Sequence, residues 1–158
     1  MSRFPPAGSK TTWLERAEDI LYGRISTGVE DVPMLLEWLQ DGNWPGAEEI
    51  ARHLSKYDAA IIEPVRSVLE GKDGLWAYWV LSLLVARLTG DACQQLGSTL
   101  WVLAAKYDEE ECHMEALRIC VKHRLAPVAE LSRLLSEKKV KDPENLSEYE
   151  AMCTELEE

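Results

Sequence analysis

The sequence is poor in the signatures that would name a reaction. Its nine glycines fall singly, at expected helix ends, and neither a GxxxxGK(S/T) loop nor a GxGxxG turn occurs, so no phosphate cradle is offered. The GxSxG elbow and the HExxH helix are missing too, which removes two common hydrolase patterns. The four cysteines, Cys93, Cys112, Cys120 and Cys153, form no CxxC pair and are too sparse for a disulfide scaffold. Reduced thiols in a cytoplasmic protein are expected. The longest apolar run, Leu75 to Ala86, has 12 residues, well short of the ~20 a membrane span requires. No apolar segment of a secretion signal follows Met1-Ser2-Arg3-Phe4-Pro5-Pro6. Positive charge is scarce: 17 Lys and Arg face 28 Asp and Glu, a net charge of −11. That argues against nucleic-acid binding, which needs a basic face for phosphates. Strand-like alternation is absent.

What is present is helical spacing along nearly the whole chain. The 158 residues, 46% of them hydrophobic, suit one domain over 1–158, with an irregular arm at 1–11 and an acidic cap at 142–158. Thr12-x-x-Glu15 reads as a capping box before an apolar face of Trp13, Leu14, Ala17, Ile20 and Leu21. Asp31 and Pro33 open a helix carrying Val32, Leu35, Leu36 and Leu39, which Gly42 stops. Pro45 is expected to open its partner, with Glu48 and Glu49 at the positive end of the dipole and Ala47, Ile50, Ala51 and Leu54 on the buried face. His53 on this helix is read as a surface or edge side chain. The short link predicts an antiparallel pair.

The unit recurs. Asp58 is the expected cap for Ile61, Ile62, Val65, Val68 and Leu69; an almost wholly apolar helix then runs from Leu75 to about Arg87 and should be covered on most sides. Asp91 is the expected cap of a helix with Leu96, Leu100 and Leu103, and Asp108 to Glu111 start the next. A last pair begins near Pro127 and ends with a Ser147-x-x-Glu150 capping box. Pro33, Pro64, Leu96 and Pro127 mark the first helices, at spacings of 31, 32 and 31. A fixed period in paired helices predicts an all-α, HEAT-like solenoid of about four antiparallel pairs plus an N-terminal helix, about nine helices in all.

Two blocks, Leu35-Leu36-Glu37-Trp38-Leu39-Gln40-Asp41-Gly42-Asn43-Trp44-Pro45-Gly46-Ala47 and Asp73-Gly74-Leu75-Trp76-Ala77-Tyr78-Trp79-Val80-Leu81-Ser82, resemble the signature of an uncharacterised bacterial domain-of-unknown-function family with HEAT-like helices. The resemblance covers roughly residues 31 to 123. It implies a small helical bacterial protein and carries over no activity, cofactor or catalytic residue. The chain departs from the family pattern at Ala77, where a basic residue is expected.

Cys112, His113, Cys120 and His123 share one expected helix and are the one candidate metal set. Cys120 and His123 suit a tetrahedral site, but His113 lies seven residues back, about 10 Å along the axis. No metal and no cofactor are expected. Cys93, near a helix start, is read as a small buried residue. Six tryptophans stand against one phenylalanine. Trp38, Trp44, Trp76 and Trp79 either fill space with each indole N–H on a loop carbonyl, or line a groove as interface anchors.

Charge is uneven. Residues 31–70 hold eight acids and three bases, and 142–158 hold seven acids and no base, whereas 124–141 carries Arg124, Arg133, Lys138, Lys139 and Lys141. The acids either solubilise the surface or steer a basic partner. In the second case Glu48, Glu49, Asp108, Glu109, Glu110 and Glu111 share one rim of a groove. The candidate partner-binding set is Asp41, Asn43, Trp44, Glu48, Glu49, Asp73, Trp76, Asp108, Glu109, Glu110 and Glu111. The expected function is a non-catalytic binding module for a basic protein, in its sharpest form a bacterial immunity protein covering a cognate toxin domain. The alternatives are an adaptor docking a partner helix in its groove and, behind it, a HEAT-type nucleic-acid enzyme.

Overall fold

The computed structural model describes residues 9–158, so most of the arm assigned to 1–11 lies outside the described residues. Every regular element among them is helical, and ten are α-helices. No helix of theirs is long and apolar enough to cross a membrane. The chain divides into two compact units, one ending at Leu96 and one running from Gly97 to Glu158.

The first unit holds α1 (Lys10–Leu21), α2 (Val32–Leu36), α3 (Ala47–Ser55), α4 (Ile62–Leu69), α5 (Gly74–Trp79) and α6 (Gly90–Gln95). The expected apolar stripes are its core: Ala17 and Ile20 of α1, Leu35 and Leu36 of α2, and Ala47, Ile50, Ala51 and Leu54 of α3 are all buried. The helix expected over 75–87 is one rod of three windings, with α5 passing into a π-turn at Val80–Leu84 and a 3-10 turn at Val85–Arg87. Ala77, Val80, Leu81, Leu84 and Val85 are buried and Trp76, Tyr78, Trp79, Ser82 and Leu83 half-buried, while Leu75, Ala86 and Arg87, near the two ends of the rod, are exposed.

Several helix starts differ from the sequence reading. The α1 cap is Ser9, whose hydroxyl accepts from Thr12 N, and not Thr12. Helix α3 begins at Ala47 and not at Pro45, because Gly46 takes a left-handed turn (φ +88°) and the Pro45 carbonyl accepts from the Trp38 indole at 2.9 Å. Thr89 and not Asp91 caps α6. Asp58 does not cap its own helix: its carboxylate accepts from Thr89 N and Thr89 Oγ1 (2.9 and 2.6 Å), which holds its pKa below the usual range. His53 is half-buried, its Nε2 2.7 Å from Thr27 Oγ1.

The loop between α2 and α3 is fixed by aromatic packing. Trp38 is fully buried, and Trp13 meets it and Trp44 edge-on at centroid distances of 6.3 and 5.4 Å. At Gly42 a Cβ would lie 2.2 Å from the Trp79 ring. At Gly46 it would lie 2.5 Å from the Ala17 methyl.

The second unit holds α7 (Gly97–Ala104), α8 (Cys112–His123), α9 (Val128–Lys141) and α10 (Leu146–Glu157). The single helix expected around Leu96, Leu100 and Leu103 is split at Leu96 between α6 and α7. Helix α8 packs on α7 and α10, and α10 also packs on α9. The core includes Leu100, Ala116, Leu117, Cys120, Leu131, Leu135, Tyr149 and Met152. Arg118 forks between Glu115 (2.6 Å) and Glu148 (2.7 Å), tying α8 to α10. Helix α10 starts after Asn145 without a side-chain cap, so the Ser147-x-x-Glu150 box does not form. None of the four cysteines is in a disulfide.

Several polar contacts in each unit fall at separations of 30 to 32 residues, among others that range from 25 to 40. Thr27–Tyr57 spans 30 residues and Asp58–Thr89 spans 31. Lys106–Lys138 spans 32, Arg118–Glu148 spans 30 and Arg124–Glu155 spans 31.

The glycine at the aromatic loop yields a direct test. Gly42→Ala should lower the stability of the first unit by about 1–3 kcal/mol, the range for forced overpacking, read as a lower urea midpoint. Gly97→Ala, at the start of the second unit, whose added methyl meets nothing within 4 Å, should not lower the stability of its own unit. An unshifted midpoint for Gly42→Ala would contradict the packing described.

Candidate functional site

In the first unit most of the nominated residues are engaged internally. Asp41 Oδ1 accepts from Asn43 N at 2.8 Å, a short polar turn that shapes the loop. Asp73 caps α5 by accepting from Trp76 N, and the Trp76 indole donates to the Leu36 carbonyl at 2.9 Å. Trp44 leans on Trp13. Glu48 reaches Arg87 at 3.2 Å on the surface, where such a pair contributes little. Glu49 turns inward: its Oε2 is buried with no hydrogen-bond partner among the described residues. Trp76 also forms one wall of an apolar groove of about 340 Å3 with Pro33, Leu36, Pro64 and Val68.

The second unit carries the more organised site. Lys138, within the basic stretch 124–141, is fully buried. Its ammonium donates to the Lys106 carbonyl (2.7 Å) and to His113 Nδ1 (3.1 Å), and it sits 4.0 Å above the centre of the Tyr107 ring. An ammonium has three N–H groups, and these three acceptors use them. Burial pulls the Lys138 pKa down to about 8, against the opposing pull of Asp142 and Asp108. His113 is held below its ordinary value by burial and by Lys138. Because Lys138 donates to Nδ1, that nitrogen bears the lone pair, and the imidazole proton sits on Nε2.

Around this centre the chain brings carboxylates together. Asp108, four residues before α8, accepts from Cys112 N (2.8 Å) and His113 N (2.9 Å), satisfying two of the orphan donors at the helix start. Burial and Asp108 push the Cys112 thiol up to about 12. On the other side Asp142 accepts from Asn145 Nδ2 and from the Tyr149 hydroxyl, bonds that hold its carboxyl below the usual range. Between these two anchors opens a cavity of about 390 Å3. Tyr107, Asp108, Glu109, Glu111 and His113 line one wall, and Lys141, Asp142, Glu144 and Asn145 the other.

Asp108, Glu109 and Glu111 of the nominated set therefore share one cavity, and Glu110 is exposed without lining it. Sequence reasoning missed Lys138, Tyr107, His113 and Asp142 as parts of this site. One signal was available: Lys-Tyr-Asp occurs twice, at 56–58 and 106–108, each time just past a helix. In both copies the tyrosine lies against a histidine, Tyr57 on His53 and Tyr107 on His113.

The buried lysine imposes a pH signature. Its folded pKa lies below 10.5, so between about pH 8 and 10.5 the folded state binds fewer protons than the unfolded chain, and stability rises with pH through that window. Cys112 and Tyr149 are held protonated, so each removes stability as pH climbs past its ordinary value. Comparison with Lys138→Met isolates the lysine: wild type should gain on the variant between about pH 8 and 10.5 in urea titrations. A pH-independent gap would contradict a buried, charged Lys138. In the same variant His113 should titrate closer to its ordinary value while remaining below it, because its burial persists; an unmoved His113 in an NMR titration would contradict the contact.

A family model described as a domain of unknown function, DUF5071, matches residues 15–123. The match runs from within α1 to the end of α8. It takes in every nominated residue together with Tyr107 and His113, and leaves Lys138 and Asp142 beyond it. No curated protein matches the chain. Since the matched span is more than half of the sequence, the protein belongs to the DUF5071 family.

Proposed function

We propose that this protein is a cytoplasmic binding module with no chemistry of its own, which holds a basic segment of a partner protein at the acid-rimmed cavity of its second unit. In its sharpest form it is a bacterial immunity protein that neutralises a toxin by covering it. The observation that carries the reading is the cavity itself. Glu109, Glu111 and Glu144 stand exposed on its rim, and Asp108 and Asp142 are fixed beneath them by backbone and side-chain donors. Carboxylates on a pre-positioned frame attract and orient a cationic partner without reorganising first. With a net charge of −11, long-range attraction acts in the same direction.

We read the scaffold as HEAT-like helix pairs. The polar contacts at separations of 30 to 32 support this, because stacked repeats bring each position against its counterpart one period later. The apolar groove of Pro33, Leu36, Pro64, Val68 and Trp76 favours a second reading, an adaptor that docks an amphipathic helix.

Affinity capture from the native lysate tests the first reading. At low salt the wild type should retain a basic protein that elutes as screening increases. The combined Glu109→Gln, Glu111→Gln and Glu144→Gln variant should lose it. Recovery of small molecules alone, or equal capture by the variant, would contradict the reading; capture that survives high salt would favour the adaptor.

A further inference from the structure

The apolar groove of the first unit restricts what can lie in it. Its walls are helices: Pro33 and Leu36 come from α2, Pro64, Ser67 and Val68 from α4, and Trp76 from α5. Backbone N–H and C=O groups inside helices bond to one another, so the walls offer no edge to which an extended segment could pair. The Trp76 indole N–H is committed too, to the Leu36 carbonyl at 2.9 Å. The remaining polar side chains on the lining are the Ser67 hydroxyl and the Glu63 carboxylate. An occupant must therefore satisfy its own backbone, which a helix does, and present one apolar face. Beyond the lining, Val29, four residues before Pro33, and Leu75, next to Trp76, are each 48% exposed, so the same part of the chain presents further apolar surface.

Charge sets the sign of that helix. Residues 32–37 and 62–79, which form the groove, hold four acids, Glu37, Glu63, Glu70 and Asp73, against two bases, Arg66 and Lys72. Glu63 stands on the lining itself with its side chain 79% exposed. Its partner Arg66 also donates to the Gln95 carbonyl at 2.6 Å. An exposed ion pair of this kind contributes little, so Glu63 can turn to a cation of the occupant at small cost. Glu70, at the end of α4, and Asp73, at the start of α5, are exposed as well. A helix whose apolar face is flanked by acids meets like charge here, and one flanked by lysines or arginines meets opposite charge.

We propose that the groove between α2, α4 and α5 is the docking site of a basic amphipathic helix of a partner protein. Its apolar side chains, spaced at i, i+3 or i+4 and i+7, lie along Pro33, Pro64 and Trp76, and its flanking lysines or arginines reach Glu63 and the acids at the helix ends. This rests on the adaptor reading of the groove and adds the sign of the helix it takes.

Nuclear magnetic resonance titration of the full chain with three synthetic peptides tests it. One is built of leucine and lysine with the leucines on one helical face, the second has glutamate for every lysine, and the third is the first scrambled so that no face is apolar. At low salt the first should shift the Trp76 indole N–H and Val68 methyl resonances saturably and at one site. The glutamate peptide should bind about tenfold more weakly, a gap that narrows as salt is raised. The scrambled peptide should not compete. Glu63→Lys and Ser67→Arg, both at exposed positions of α4, should each weaken the first peptide severalfold.

Equal binding of the lysine and glutamate peptides would overturn the inference and leave the adaptor reading standing. Trp76 and Val68 signals unmoved by either would overturn the adaptor reading and the inference with it. A scrambled peptide as strong as the first would reduce the binding to charge attraction, and variants that bind unchanged would place the peptide elsewhere; both results contradict the inference. Signals that move with protein concentration in the absence of peptide would give the groove to a second copy of the chain and overturn it. Shifts confined to Tyr107 and His113 would give the basic segment to the cavity of the second unit and overturn it equally.

Discussion

A buried ammonium with no carboxylate bonded to it is the constraint on which the second unit turns. Lys138 reaches the protein interior and is met by a carbonyl, an imidazole nitrogen and an aromatic face. Removing such a charge from water is costly unless every N–H finds an acceptor. Three groups must therefore stay in place: the Lys106 carbonyl at the end of the α7 segment, the Tyr107 ring, and His113 in the first turn of α8. The strand of chain between them, from Asp108 to Glu111, is held at both ends, which gives its carboxylates fixed positions.

The charge pattern around that centre is layered. The ammonium is innermost, Asp108 and Asp142 form a ring bonded to backbone and side-chain donors, and the glutamates stand outside in water. The two aspartates lie close enough to oppose the fall in the Lys138 pKa but do not bond to it. Their lone pairs are committed instead to the start of α8 and to Tyr149 on α10. The site thus joins helix capping to charge presentation: the groups that terminate helices are the groups that line the cavity.

Much of the first unit was legible in the sequence because its helices each present one apolar stripe. Leu35, Leu36 and Leu39, then Ala47, Ile50, Ala51 and Leu54, follow the 3.6-residue period, and all are buried. Of the four tryptophans weighed, Trp38 donates its indole N–H to the loop carbonyl of Pro45, while Trp76 donates to the Leu36 carbonyl of α2 and also lines the apolar groove. Helix starts were harder to read, because the carboxylates of Asp58 and Asp108 act at a distance: one reaches Thr89, the other a helix starting four residues on. Thr12-x-x-Glu15 competed with the real cap at Ser9, whereas Ser147-x-x-Glu150 falls at a helix start that has no side-chain cap. Lys138 was illegible for a sharper reason: its acceptors lie 25 and 32 residues away, and next to Lys139 and Lys141 it looks like part of a solvated basic face.

The His113 tautomer is the point at which scaffold and site meet, since the lysine beneath decides which nitrogen faces the cavity. Side-chain nitrogen-15 spectra of His113 at neutral pH measure it directly. The account predicts an unprotonated Nδ1, hydrogen-bonded to the Lys138 ammonium, and a protonated Nε2. A proton on Nδ1, or a free imidazole exchanging between both forms, would contradict it.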